Sequence, residues 1–297
     1  MAWHTDYYEH LDDLQAALQR FENFGNSPRQ GLWGFRGTAR DWPRSTPLFD
    51  RVCPKSISYQ NRLELEKTIL KELAARLHIP IIPPATFVQT RYLITLALMQ
   101  HHRAPTRLLD WTASARIAAF FACAPTSAED LSHDGVIWMF DKRALEESAD
   151  HHWGRWTRCI GQQRYAEGFE EALFDPMPER WLCPLYLNLG EALPPKLAGA
   201  PTKTKRELDR AIKRIDSQKA FFTVAGGSHL DHLDLIDRVT PESSPAQAKR
   251  KIIIAASLKT HILEWLDAGN INASELFPGL DGVGMRVAHR LFGTAVD

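Results

Sequence analysis

Four short runs of β-branched and aromatic residues, at 31–37, 135–140, 220–224 and 251–257, lie far apart in this chain. Longer stretches between them return apolar residues at helical spacing. No period repeats along the 297 residues. Strands so widely separated, divided by helices of unequal length, predict an α+β domain rather than a repeat array or a regular βαβ series. With 44% apolar residues the chain is long enough to bury a sizeable core.

Helices are predicted over 11–24, 61–78, 113–124, 206–218 and 258–268, the last stopped by Gly269. The helix over 61–78 sets Leu63, Ile69, Leu70, Leu73 and Leu77 on one side. Residues 38–60, with three prolines, read as an irregular crossing, and 189–204 as a linker. Region 146–181 is polar and aromatic without a clear period. The expected organisation is one domain over 1–297, with an N-terminal helical region at 1–30 and an insertion or lid at 146–204.

Lysine plus arginine and aspartate plus glutamate are 36 each, so no bulk basic field marks the chain as a nonspecific nucleic-acid or membrane-surface binder. An anionic partner has to be held by a local patch. Cys53, Cys123, Cys159 and Cys183 form no Cys-x-x-Cys pair, so reduced thiols in a cytoplasmic protein are expected. No apolar run approaches the length of a membrane span, and no membrane association is expected.

Chemistry concentrates in residues 99–112, Met-Gln-His-His-Arg-Ala-Pro-Thr-Arg-Leu-Leu-Asp-Trp-Thr. Tyr92, Leu93, Leu96 and Met99 recur at helical spacing, so Gln100, His101 and His102 fall on a last helical turn that Pro105 stops. Thr112 is read as the N-cap of the next helix. His101 has the side chain suited to proton transfer near neutrality, or else it caps carbonyls. Asp110 is either a site carboxylate or half of a buried ion pair with Arg107 or Arg36. Trp111 belongs to the core or stacks on a ligand.

Arg36, at the end of a glycine-bounded strand, offers a planar fork to a phosphate or diphosphate; a structural ion pair is the alternative. Gln218, before a strand, can bond a sugar or an amide, or a strand edge. His229, Asp231, His232 and Asp234 crowd together without a metal-site pattern, so no metal is expected. Lys203, Lys205, Arg206, Arg210, Lys213 and Arg214 make a basic helix, either a solvated face or a nucleic-acid contact.

Trp33-Gly34-Phe35-Arg36-Gly37, followed by the fourteen-residue segment at 99–112, resembles the FRG domain, named for the Phe-Arg-Gly triplet at 35–37. The strand at 135–140, the segment Arg214 to Gln218 leading into Phe221, and the tail from Leu276 to Gly282 resemble it in the same order. The resemblance implies an ADP-ribosyltransferase-like layout, a small-sheet core with surrounding helices that takes NAD as substrate. On that mapping His101, Asp110 and Gln218 are catalytic. Phe35, Arg36, Gly37, Gln100, Arg107, Trp111 and Thr112 hold the cofactor, with backbone near Gly37 fixing the carboxamide. The chain departs from the transferase pattern where a late-strand carboxylate is usual, because Lys219 and Ala220 follow Gln218.

The implied function is a toxin or effector that ADP-ribosylates a macromolecular acceptor, RNA foremost or else DNA or protein, in phage defence or a toxin-antitoxin system. A neutralising antitoxin protein would be its partner. Two other readings fit the same residues: a nucleotide- or RNA-binding module without turnover, and a metal-independent nuclease.

Overall fold

The computed structural model describes residues 3–24, 33–42, 45, 47–54, 56–76, 95–96, 98–102, 104–143, 145, 182–185, 202–225, 230–239 and 249–294. Within these, seven strands form one mixed sheet. They are β1 (His4–Tyr8), β2 (Trp33–Thr38), β3 (Leu109–Thr112), β4 (Gly135–Asp141), β5 (Leu182–Leu185), β6 (Ala220–Ala225) and β7 (Lys249–Ile254). Their order is β1-β7-β4-β2-β3-β6-β5. The β1–β7 pair is parallel and every other pair antiparallel. The helices are α1 (Leu11–Phe24), α2 (Leu48–Val52), α3 (Tyr59–Arg76), α4 (Ala115–Cys123), α5 (Thr202–Ser217), α6 (His232–Val239), α7 (Lys259–Ala268), α8 (Ala273–Leu276) and α9 (Leu280–Thr294). The chain is thus α+β.

Both sheet faces are covered. On one, Phe35, Ile137, Met139, Ile252 and Ile254 join a core with residues of α1, α4, α7 and α8. On the other, Trp111, Val136, Trp138, Phe140 and Phe221 pack with Leu233, Leu235 and Ile236 of α6. That is why the β4 sequence is apolar at almost every position and all seven of its residues are buried. Alternation along β2 buries Phe35 in the first core and turns Arg36 to the opposite side.

The sheet is close to being two. Six residue pairs join β2 to β4 and four join β3 to β6, yet β2 and β3 share the single pair Phe35↔Thr112. Beyond it they part, leaving β1-β7-β4-β2 on one side and β3-β6-β5 on the other.

Several expectations are corrected here. The N-terminal region holds β1 as well as its helix, because five residues pair in register with β7. Residues 109–112 form a strand, so Thr112 is no helix cap. Ser114 caps α4 instead, accepting from the Ile117 amide. The helix expected over 206–218 begins at Thr202 and takes in the end of the expected linker. Region 146–181, the rest of the expected lid apart from 182–185 and 202–204, and the positions of Tyr92 and Leu93 lie outside the described residues.

Candidate functional site

A cavity of about 300 Å³ opens where β2 and β3 part. Arg36, Gln100, His101, Asp110 and Gln218 line it, brought together from three distant stretches of chain. Arg51 of α2, Arg214 of α5, Leu48, Leu108 and Phe222 also form its wall. Three guanidinium groups face one carboxylate, which makes the lining anion-seeking.

Arg36 projects from β2 and donates from Nη1 to the main-chain carbonyl of Asp110 at 2.8 Å. Its buried Nε has no hydrogen-bond partner. Burial draws the guanidinium pKa down; Asp110 opposes that shift and Arg51 adds to it. The end of β2 is held by Lys259, whose Nζ donates to the Ala39 carbonyl at 2.7 Å, and by the Arg40–Asp130 ion pair.

Asp110 is exposed and accepts a 2.7 Å hydrogen bond from Gln100 Nε2. The Thr106 hydroxyl donates to the Gln100 carbonyl oxygen, which fixes the amide orientation. The Asp110 carboxylate is therefore not half of a buried ion pair with either arginine. His101 is partly buried, with no partner for its buried Nδ1. Burial, then the charges of Arg214 and His102, lower its pKa to about 4. It is neutral at physiological pH and able to accept a proton. Arg214 is anchored beside it, donating to the His101 carbonyl at 3.0 Å with its guanidinium over Phe277.

Gln218 lies at the end of α5, where Lys219 reverses the chain into β6 with φ 45°. The Lys219 amide donates to the Asp216 carbonyl, and its own carbonyl accepts from Ala113. The Gln218 side-chain amide donates to the Leu276 carbonyl at 2.9 Å, so that donor ties α8 to the cavity wall.

The other expected cofactor contacts are placed elsewhere. Phe35 is in the core. Gly37 backs onto α4, where an added Cβ would collide with the Ala118 carbonyl and lie 2.7 Å from the Ala122 nitrogen; its lack of a side chain serves packing. Arg107 is buried in an ion pair with Glu66 of α3. Trp111 packs edge-on to Phe140 and donates from Nε1 to Thr223 Oγ1 at 2.9 Å. Thr112 donates its hydroxyl to the Gln218 carbonyl at 2.7 Å, joining β3 to α5.

Arg51 and Arg214 are the charged cavity residues absent from the site expected on sequence. Arg214 was legible, since it precedes Gln218 by one helical turn and shares its side of the helix. Arg51 lies within the proline-bearing crossing at 38–60, which carries no periodic signal. His232, read with its neighbours against metal, is fully buried behind Arg36. Its Nδ1 meets Thr223 Oγ1 at 2.7 Å, and its Nε2 is buried without a partner. Among the described residues no group of three His, Cys, Asp or Glu is disposed to hold a metal ion. No described helix is long and apolar enough to cross a membrane.

These features define a class of α+β protein with a cationic cleft between two half-sheets. Residues 32–131 match the family model of the FRG domain, so the chain carries an FRG domain over that stretch. The match takes in β2, α3, β3 and α4, and with them Arg36, Gln100, His101 and Asp110. No curated protein and no solved structure matches the chain.

Proposed function

We propose that this chain is an NAD-dependent ADP-ribosyltransferase acting on a macromolecular acceptor. The observation that carries the reading is the convergence of Arg36, Arg51, Arg214, His101 and Asp110 on one cleft between β2 and β3. A diphosphate with a sugar attached needs fixed cationic donors on one side and a carboxylate near the carbon that becomes electron-poor. At about 300 Å³ the cavity is at the small end for ligand pockets and encloses part of the dinucleotide.

In this reading Arg36, with Arg51 and Arg214, grips the diphosphate. The bond between C1′ of the ribose and the nicotinamide nitrogen breaks, and its electron pair leaves with nicotinamide. Asp110 stabilises the oxocarbenium character at C1′, held in orientation by Gln100. The acceptor's oxygen or nitrogen bonds to C1′, and its proton passes to neutral His101. In the toxin or effector role the resemblance suggests, activity would harm the producing cell unless an antitoxin restrains it.

One observation favours binding without turnover: the Gln218 amide is engaged by the Leu276 carbonyl, and no carboxylate follows it on β6. Nicotinamide release from NAD by the purified protein separates the two, measured with cellular RNA, DNA or lysate protein added in turn. Release that depends on one acceptor class and is lost in Arg36→Ala and Asp110→Asn is the expected result. No release under any condition from a folded protein leaves a nucleotide-binding module. Cleavage of RNA without NAD would instead indicate a nuclease.

A further inference from the structure

Helix α5 has two sides with different tasks. Ala211, Arg214, Ile215 and Gln218 face the cavity. Lys203, Arg206, Arg210 and Lys213, spaced three, four and three residues apart, form an exposed stripe beside them. At 1.5 Å per residue the stripe runs for about 15 Å, nearly straight. Lys203, Arg206 and Lys213 have no carboxylate within ion-pair distance among the described residues. Arg210 pairs with Glu207 at 3.0 Å, an exposed contact of the kind a stronger anion displaces.

Such a row of cations repels itself unless something anionic lies on it. Asp209 and Asp216 are set to one edge of the stripe rather than within it. At the other edge the exposed imidazole of His102 stands 3.5 Å from Glu207. A straight line of cations with a flat exposed ring beside it suits a strand of phosphodiesters carrying bases, since phosphates repeat regularly and each base offers a face to stack. Polyglutamate supplies the negative charge but no ring to stack. The chain's overall neutrality confines the attraction to this patch.

We propose that the outer face of α5, with His102, is a docking surface for single-stranded nucleic acid. The strand runs along Lys203, Arg206, Arg210 and Lys213 and reaches the cavity mouth at Arg214 and Arg51. Binding does not depend on NAD chemistry. That the bound strand is also the acceptor of ADP-ribose is a second step, which rests on the transferase reading above.

The test is fluorescence anisotropy of a labelled short single-stranded RNA, in the absence of NAD, across about 50 to 200 mM salt. With four phosphates neutralised, log affinity against log salt should fall with a slope of about −3. Replacing Lys203, Arg206, Arg210 and Lys213 together by Gln should weaken binding by about tenfold or more and flatten the slope, with unchanged thermal melting. Lys203→Gln with Lys213→Gln, a milder change, should give an intermediate loss. His102→Ala should weaken binding severalfold at unchanged slope. Salt-independent or absent binding by the parent, full affinity in the fourfold variant, or equal competition by polyglutamate would each overturn the proposal. Because the assay holds no NAD, its result is separate from that of nicotinamide release.

Discussion

The Arg36 side chain donates to the main-chain carbonyl of Asp110 at 2.8 Å, bridging the gap that opens where β2 and β3 cease to pair. A continued ladder would spend that carbonyl on backbone. Here a side chain takes its place, so one residue both closes the sheet and presents positive charge in the cleft. Asp110 in turn offers its carbonyl to the fold and its carboxylate to Gln100. Site and scaffold therefore share residues rather than merely adjoining.

Arg36→Lys tests whether the fork matters beyond its charge. Lysine keeps the charge but cannot bond the Asp110 carbonyl and grip a diphosphate with separate nitrogens in one plane. Nicotinamide release should fall by about a hundredfold, the scale of losing one aimed donor. Melting should change little, since a lysine ammonium can still donate to the Asp110 carbonyl that Arg36 bonds. Parental turnover in Arg36→Lys would remove Arg36 from the proposed role.

The Arg107–Glu66 pair predicts a stability effect instead. Both side chains are buried, so removing one charge strands the other in a low-dielectric interior. Glu66→Gln should cost about 3–5 kcal/mol in urea unfolding. What survives folded should keep its affinity for ligand, because neither group lines the cavity. An affinity loss in fully folded protein would return Arg107 to the site.

Periodicity made much of this fold legible. Four of the seven strands and most of the long helices are where apolar spacing put them. Strand β3 was not legible, because its four residues follow a proline and mix buried and exposed positions, and pairing with β6 rather than local propensity makes it a strand. Strand β1 owes its place likewise to β7, far along the chain. In the site, Arg36, Gln100, His101, Asp110 and Gln218 do share a cavity. The density of polar groups in 99–112 did not reveal which of them fold inward. Arg107 and Asp110 look equally catalytic as letters, yet one pairs with Glu66 on α3 and the other faces solvent, a distinction made only by tertiary packing.

The glycine of the Phe-Arg-Gly triplet has a steric reason to be there. A Cβ at Gly37 would press into α4 at the Ala118 carbonyl and the Ala122 nitrogen, both backbone, which no side-chain rotation relieves. Gly37→Ala should therefore push α4 off the sheet and lower stability by several kcal/mol, in the manner of an overpacked core. Soluble yield and melting temperature report it. Gly284→Ala is the matched control: its added Cβ meets nothing within 4 Å, and the extra helix propensity should leave stability unchanged or slightly raised.

His232 predicts acid sensitivity. It is fully buried behind Arg36, and burial first, then the Arg36 charge, lower its pKa to about 3 from 6.5. Between those values the unfolded chain binds a proton that the native chain does not, so stability rises with pH across that window. It is fully present above about pH 6.5 and is lost as the pH falls toward 3. His101, with a pKa of about 4, acts in the same direction over the upper part of the window. His232→Asn keeps an acceptor for the Thr223 hydroxyl but cannot titrate, leaving only the remaining groups to respond. Denaturant unfolding at pH 7 and at about pH 5 should show the parent losing a few kcal/mol, and the Asn variant losing measurably less. Equal losses in the two proteins would mean that the native imidazole takes up its proton as readily as the unfolded one over that range, and that acid acts elsewhere.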